Sequence, residues 1–311
     1  MNKQFLQMEE KMLQAIIDIG SNTVRMVVYD LENGKAKQIM KKKHLVGLAA
    51  FLKDGVMQQA GIDRVCEVLN EYREFLTAFH ISRVAAFTTA ALRNAKNSAT
   101  AVAEITERTG IAIRVISGIE EAEYDFIGAT YGLKEQSGLL IDIGGASTEV
   151  VYFSDGQIVT KTSLLMGSLS LHSKYSAGLL PTAAEIKAMQ DEIADILDTA
   201  VELDSVSEAH VCGIGGTFKG ASALYNLTYG QPKENALLDA AKLPELIKRY
   251  QAGKELSEEE LIIFFKACAD RLHTIVPGML IADALAKRFG SKTITYSDSG
   301  VREGYIYKEL L

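Results

Sequence analysis

The stretch Ala15–Thr23 reads AIIDIGSNT, and nearly the same sequence returns at Leu139–Thr148 as LLIDIGGAST. An apolar, strand-like run follows each copy, and a two-residue turn signal comes next, Asn33-Gly34 in one half and Asp155-Gly156 in the other. Asn-Gly and Asp-Gly pairs favour tight hairpins because these residues tolerate positive φ. Each half is therefore predicted to open with a buried strand that ends in Asp, a turn of small residues and an antiparallel hairpin.

The rest of each half alternates helical and extended patterns, which predicts an α/β protein with largely parallel sheets. Thr182 and Glu185 have the spacing of a capping box at the start of a long helix, and Pro277 is expected to kink a later one. The two halves should meet at a packed hinge near residue 125. The predicted helices are 61–79, 97–109, 182–203, 217–225 and 271–289, and the predicted strands are 83–88, 111–116, 209–212 and 293–297.

The bulk composition fits a folded protein of two domains. The 311 residues are 48% hydrophobic and 23% charged, and the formal net charge is −7. An acidic chain is a poor non-specific binder of DNA or RNA duplexes, so a polyanion would have to be held locally by backbone amides and a few cations. Three widely spaced cysteines indicate reduced thiols, and the five histidines lack a zinc spacing. Without an apolar run near the ~20 residues of a membrane span, or a signal peptide, the protein is expected in the cytoplasm and away from membranes.

The two Asp-Ile-Gly turns carry the first functional signal. A turn rich in Gly, Ser and Thr presents successive backbone N–H groups to an anion, and the aspartate beside it can hold Mg²⁺ directly or through water. Two such turns facing each other across a cleft could bind the two ends of a phosphate chain. The plain alternative is that these are ordinary turns, which commonly contain the same residue types. The candidate phosphate-binding residues are Ser21, Asn22 and Thr23 in the first turn and Gly144, Gly145, Ala146, Ser147 and Thr148 in the second.

A third glycine turn follows a predicted strand and opens a helix at Gly215, Gly216 and Thr217. That is the placement of a phosphate loop at a helix N-terminus, and it is equally the placement of tight helix–strand packing. The turn does not match GxxxxGK[ST], so a P-loop NTPase is not favoured.

Six motifs in order along the chain resemble the exopolyphosphatase/guanosine pentaphosphate phosphohydrolase (Ppx/GppA) family in its short form. They are DIGSNT from Asp18, TAALRNAKN from Thr89, SGIEEA from Ser117, DIGGASTE from Asp142, GGT from Gly215 and SGVREG from Ser299.

The resemblance implies the α/β actin-like ATPase (ribonuclease H-like) fold, with two duplicated domains and a phosphate cleft between them. The N-terminal domain would comprise 1–125 with 298–311, and the C-terminal domain 126–297. It also implies release of terminal orthophosphate from polyphosphate or guanosine pentaphosphate with Mg²⁺ (or Mn²⁺), and a homodimer.

By position in these motifs, the family's catalytic glutamate falls on Glu121, with Glu120 as second choice. A carboxylate in the cleft could orient or deprotonate the attacking water, whereas the plain alternative is a solvated, acidic helix start. Arg93 resembles the family's phosphate-binding arginine, and its planar guanidinium suits phosphate oxygens. The candidate metal ligands are Asp18, Asp142 and Glu149, while Arg302 is interpreted as a domain-packing residue.

Two further features leave alternatives open. The family usually has glycine where this chain has Ala146, which would be strained if φ were positive there. Lys35, Lys37 and the run Lys41–His44 could line a channel for a long polyanion or be a solvated strand edge. A small-molecule kinase of the same fold and a non-catalytic alarmone or polyphosphate sensor are the rival functions.

Overall fold

The computed structural model describes residues 12–131 and 137–311. Its elements follow the duplicated plan of the sequence. The first half contains β1 (Met12–Ile19), β2 (Thr23–Glu32), β3 (Lys35–Leu45), β4 (Leu52–Lys53), β5 (Val56–Met57), α1 (Gln59–Ala78), β6 (Val84–Thr88), α2 (Ala90–Arg93), α3 (Ser98–Thr109), β7 (Ile113–Val115) and α4 (Gly118–Thr130). The remainder contains β8 (Gly138–Ile143), β9 (Thr148–Ser154), β10 (Gln157–Leu164), α5 (Ser168–Tyr175), α6 (Ala183–Thr199), β11 (His210–Ile214), α7 (Gly215–Thr228), β12 (Leu237–Asp239), α8 (Leu243–Arg249), α9 (Glu258–Cys268), α10 (Ile275–Phe289), β13 (Thr293–Ser297) and α11 (Val301–Glu309).

The two main sheets share one plan. The first has the order β3-β2-β1-β6-β7 and the second the order β10-β9-β8-β11-β13-β12. In each, three antiparallel strands lead into parallel neighbours, β6 and β7 in the first and β11 and β13 in the second. The hairpin turns are as predicted, because Asn33, Gly34, Asp155 and Gly156 all have positive φ. The fold is therefore the duplicated α/β actin-like arrangement.

Two helix starts compare directly with the sequence predictions, those of α6 and α10. Thr182 accepts a hydrogen bond from the Glu185 N–H, and the Glu185 carboxylate accepts one from the Thr182 N–H, which confirms the predicted capping box. The predicted kink at Pro277 is wrong. The helix begins only at Ile275, so Pro277 lies in its first turn, where a backbone N–H has no partner inside the helix.

Two glycine-bearing helices, α4 and α11, cross where the halves meet. A Cβ on Gly304 would overlap the backbone of Tyr124, and one on Gly128 would overlap the carbonyl of Gly300. Only hydrogen atoms fit between these backbones, so glycine is required on both helices. The predicted boundary near residue 125 falls within α4, and the predicted segment 298–311 contains α11.

Both crossing helices pack on the core of the first half, where Tyr124 of α4 joins the cluster of α11, and α4 also packs on the second sheet. Tyr305 and Ile306 of α11 pack with Phe87 in the first half, whereas Ala122 and Ala129 of α4 pack with strands of the second sheet. The pair therefore ties the two sheets together. Among residues 12–131 and 137–311, no helix is long and apolar enough to cross a membrane.

Candidate active site

The two predicted phosphate turns have the same backbone geometry and face each other. The Gly20 N–H donates to the Thr23 carbonyl at 3.0 Å, and the Gly144 N–H donates to the Ser147 carbonyl at 3.0 Å. A Cβ on Gly145 would lie only 2.9 Å from the Cβ of Ser21, so glycine permits the close approach of the turns.

Ala146 fits the second turn without backbone strain. Among the described residues, the non-glycine residues with positive φ are Asn33, Asp54, His80 and Asp155, so Ala146 keeps a φ that alanine readily adopts. The substitution of the family's usual glycine therefore costs little in the folded turn.

Opposite residues in the two hairpins carry different charges. In the first, Asp18 of β1 pairs in register with Arg25 of β2. In the second, Asp142 of β8 pairs in register with Glu149 of β9, as the predicted hairpin requires. Side chains directly opposite on antiparallel strands project from the same face. One wall of the cleft is therefore cationic and the other is anionic.

On the cationic wall, two arginines hold the Asp18 carboxylate. Its Oδ2 lies 3.4 Å from Arg25 Nη1 and 3.2 Å from Arg302 Nη1, and both Asp18 and Arg302 are buried. Burial and the charge of Arg302 lower the pKa of Arg25. Arg302, interpreted from the sequence as a packing residue, thus also forms a buried ion pair with Asp18. The sequence reasoning missed Arg25, although an arginine in an otherwise apolar strand is a usable signal.

On the anionic wall, Asp142 and Glu149 repel each other. Burial, and then the charge of Asp18, raise the pKa of Asp142 to about 6. Burial, and then the charge of Asp142, raise the pKa of Glu149 to about 7. Ser163 Oγ donates a hydrogen bond of 2.7 Å to Glu149 Oε1 and so favours the ionised form. Ser163 was not predicted as part of the site.

This carboxylate pair fits a magnesium ion. Mg²⁺ usually takes one or two protein carboxylates and completes its shell with waters and substrate phosphates. The pKa values of both carboxylates are raised, and a bound divalent cation would stabilise their ionised forms. Within the described part of the chain, no group of three or more His, Cys, Asp or Glu side chains is arranged to hold a metal by itself. The pair would therefore need phosphate and water oxygens to complete the shell.

The two candidate catalytic glutamates have different surroundings. Glu120 forms a capping box with Ser117 at the start of α4 and is also held by Arg114 Nη2 at 2.7 Å. Glu121 is buried and receives a 2.6 Å hydrogen bond from Arg93 Nη1. Burial, and then the charge of Glu149, raise the pKa of Glu121 well above its ordinary value. The carboxylate of Glu120 thus caps the N-terminus of α4, while that of Glu121 points towards Arg93 and the carboxylate pair.

Arg93 reaches residues of both halves. Its Nη1 also donates to the Ile116 carbonyl at 3.2 Å, while its Nη2 lies 3.4 Å from Ser147 Oγ and 3.8 Å from Glu149 Oε1. Arg93 therefore connects Glu121 to the second phosphate turn and to the carboxylate pair.

The third glycine turn packs closely against this site. Gly215 has φ +85°, and a Cβ there would overlap the Asp142 carboxylate, so glycine lets the N-terminus of α7 approach Asp142. A Cβ on Gly216 would overlap the guanidinium of Arg271, a cation that the sequence reasoning also missed.

Not every predicted phosphate-binding hydroxyl is available to a ligand. Thr217 Oγ1 donates to the Ile143 carbonyl at 3.1 Å, and Thr148 Oγ1 donates to the Met166 carbonyl at 2.7 Å. Both threonines are buried. Their hydroxyl groups hold the turns in place, and any ligand contact from these positions would come from the backbone.

Asp125 is a further buried carboxylate that the sequence did not reveal. It lies one helical turn after Glu121 and is 1% exposed, and among the described residues no side chain hydrogen-bonds to its carboxylate, whose polar neighbour is the Val301 backbone. Burial, and then the charges of Asp142 and Glu121, raise its pKa well above the usual range. Asp125 is therefore coupled electrostatically to the carboxylates of the site.

These features define a two-domain α/β protein of the actin-like fold, with two glycine-containing turns, arginines and carboxylates gathered in one cleft. The model of the Ppx/GppA phosphatase family matches residues 27–311, and the chain belongs to that family.

Relatives of known name cover most of this chain. It is 28% identical over 297 residues to guanosine-5'-triphosphate,3'-diphosphate pyrophosphatase of Pseudoalteromonas atlantica, covering 95% of this chain but 58% of that protein. It is 26% identical over 305 residues to exopolyphosphatase 1 of Mycobacterium tuberculosis, covering 95% and 87% respectively.

A solved structure of a family member agrees with the fold. The Ppx/GppA protein of Aquifex aeolicus is 26% identical, with a TM-score of 0.73 and coverage of 96% of this chain and 97% of the other. An exopolyphosphatase from Cytophaga hutchinsonii shares the fold at 23% identity, with a TM-score of 0.80 and coverage of 95% and 96%.

Proposed function

We propose that this protein hydrolyses the terminal phosphoanhydride of inorganic polyphosphate, of guanosine pentaphosphate or of both, and releases orthophosphate. The observation that carries the proposal is the position of Glu121, buried in the cleft between Arg93 and the Asp142–Glu149 pair. Family membership and the names of the relatives support the phosphoanhydride as the bond that is cleaved.

In the proposed reaction, Glu121 orients a water molecule in line with the terminal phosphorus and accepts its proton as the water attacks. A raised pKa brings this carboxyl closer to the pH at which a general base works well. Arg93 is within reach of both Glu121 and Ser147, so its guanidinium can neutralise charge on the transferred phosphoryl group. The backbone N–H groups of the two turns would hold the phosphates in place.

Asp142 and Glu149 would hold Mg²⁺ (or Mn²⁺), which when bound neutralises negative charge on the phosphate oxygens. Asp18 would contribute only through water, because Arg25 and Arg302 already pair with its carboxylate. Arg25 and Arg302 would face the phosphates of the leaving group. Location in the cytoplasm and assembly as a homodimer remain predictions from the sequence.

The test is phosphate release with Mg²⁺ from long polyphosphate, tripolyphosphate, guanosine pentaphosphate and ATP, comparing wild type with Glu121→Gln. The matched control is Glu120→Gln, which makes the same change one residue away on a carboxylate that caps the helix. We expect Glu121→Gln to lower kcat by at least about 100-fold and Glu120→Gln by much less. If folded wild type binds these polyanions but releases no phosphate, the hydrolase proposal is contradicted and the sensor function is favoured. Transfer of a phosphoryl group from ATP to a sugar would instead identify a kinase.

A further inference from the structure

The three consecutive lysines of β3 differ in their surroundings. Lys42 pairs with Glu71 of α1 on one face of the sheet. On the other face, Lys43 Nζ lies 2.6 Å from Asp270 Oδ2, an ion pair between the two halves. Among the described residues, no carboxylate lies within ion-pair distance of Lys41. Lys41 is therefore the lysine of this run whose charge is not paired with a carboxylate in the described part of the chain.

Strand register places Lys41 beside the cationic wall of the cleft. Lys41 is opposite Val27 and Lys43 is opposite Arg25, so the side chains of Lys41, Lys43 and Arg25 project from one face. Val27 packs with α11, the helix that carries Arg302. Strand pairing and helix packing thus bring Lys41 towards the two arginines that hold Asp18.

A second lysine, Lys219 of the second half, approaches the region around Lys41. Lys219 of α7 lies 3.5 Å from Asp298 and 5.8 Å from the ring centroid of Tyr296. Burial and the charges of Arg25, Arg302 and Lys219 lower the pKa of Lys41, and Asp298 opposes them. Counting Asp18, which pairs with Arg25 and Arg302, two carboxylates offset four cations here, and an anion would stabilise the remaining positive charge.

We propose that Lys41 and Lys219 form a distal phosphate subsite, which binds a phosphate group of the substrate beyond those held by Arg93 and Arg25. This inference rests on the proposed function and deepens it. The ammonium group of lysine is a compact charge that imposes little geometry, so it suits a phosphate group whose position varies. Two sources supply such a group: an internal unit of linear polyphosphate, or the 3'-diphosphate of guanosine pentaphosphate.

Steady-state kinetics on substrates with and without the extra group tests the subsite. Lys41→Gln and Lys219→Gln should each lower kcat/KM for long polyphosphate, guanosine pentaphosphate or both by about tenfold through KM, since each removes one charge-assisted contact. Their kcat/KM for tripolyphosphate should change less than about twofold. Lys42→Gln, an adjacent lysine on the opposite face, is the matched control and should resemble wild type on every substrate. A loss limited to polyphosphate identifies the linear chain as the occupant, and a loss limited to guanosine pentaphosphate identifies the nucleotide. Equal losses on all substrates, or no loss, would overturn the subsite.

Direct binding separates this inference from the proposed function. If wild type releases no phosphate, the affinity for fluorescently labelled long polyphosphate still tests the subsite, and Lys41→Gln should weaken it about tenfold relative to Lys42→Gln. Equal affinities would reject the subsite whatever the fate of the catalytic proposal. Urea unfolding is the folding control: Lys41→Gln removes like-charge repulsion, so its midpoint should not fall below that of wild type.

Discussion

Magnesium affinity should rise steeply with pH, because protons compete for the two carboxylates proposed to hold the ion. Asp142 has a pKa of about 6 and Glu149 a pKa of about 7 in the metal-free site. Both are raised, so the protonated forms prevail at low pH and the ion-binding forms appear as pH rises through these values. Because the two carboxylates repel each other, they titrate as a pair, with the doubly ionised form scarce at pH 6 and prevalent at pH 8. The half-saturating Mg²⁺ concentration should therefore fall by about tenfold or more between pH 6 and pH 8.

Two readouts check this prediction. Phosphate release at fixed substrate, titrated with Mg²⁺ at each pH, gives the half-saturating concentration during turnover. The shift of the thermal unfolding midpoint with Mg²⁺, measured without substrate, reports binding to the same site by mass action. Glu149→Gln removes the group with the higher pKa, so its remaining pH dependence should be shallower and centred nearer pH 6. A half-saturating concentration that is constant from pH 6 to pH 8 in both assays would refute the assignment of Asp142 and Glu149 as ligands.

Three further predictions follow from single contacts. Ser163→Ala removes the hydrogen bond that favours ionised Glu149, so the pH profile of Mg²⁺ affinity should move to higher pH, and an unchanged profile would contradict this role. Asp125 has a raised pKa, so wild type loses stability as pH rises from the unfolded value of about 4 through the folded one. Asp125→Asn should remove the part of that loss that Asp125 causes, so in urea unfolding its stability relative to wild type should be higher at pH 8 than at pH 5; the same stability difference at both pH values would contradict the raised pKa of Asp125. Gly304→Ala would place a Cβ against the Tyr124 backbone and should cost at least about 2 kcal/mol of unfolding free energy, so a variant within about 0.5 kcal/mol of wild type would contradict the backbone contact.

The sequence predicted the parts of the fold that local chemistry determines. The duplicated Asp-Ile-Gly turns, the Asn33-Gly34 and Asp155-Gly156 hairpins and the Thr182 cap all appear where predicted, because short-range backbone preferences determine them. The start of α10 was predicted too early, since nothing local to residues 271–274 marks them as non-helical.

The parts that long-range packing determines could not be predicted. Arg25 could be noticed as a charged residue in a buried strand, but its ion pair with Asp18 became visible only in the structure. Asp125 is concealed in a helix that otherwise looks amphipathic, and its isolation depends on α11, which lies far away in the sequence. Lys41, Lys42 and Lys43 are the same residue type in consecutive positions, so only the alternation of the strand and its neighbours separates them.

The difference between Arg25 and Glu149 gives the cleft a direction. Two identical hairpins face to face would form a pocket with approximate two-fold symmetry, and such a pocket would accept a linear polyanion equally well in either orientation. With an arginine in one hairpin and a glutamate in the equivalent position of the other, the two orientations differ in electrostatic energy. Under the proposed function, a terminal phosphate on the carboxylate side could share a cation there, while the rest of the chain would run along the arginines. One residue position in a duplicated structure would thus determine on which side of the cleft the end of a bound chain is held.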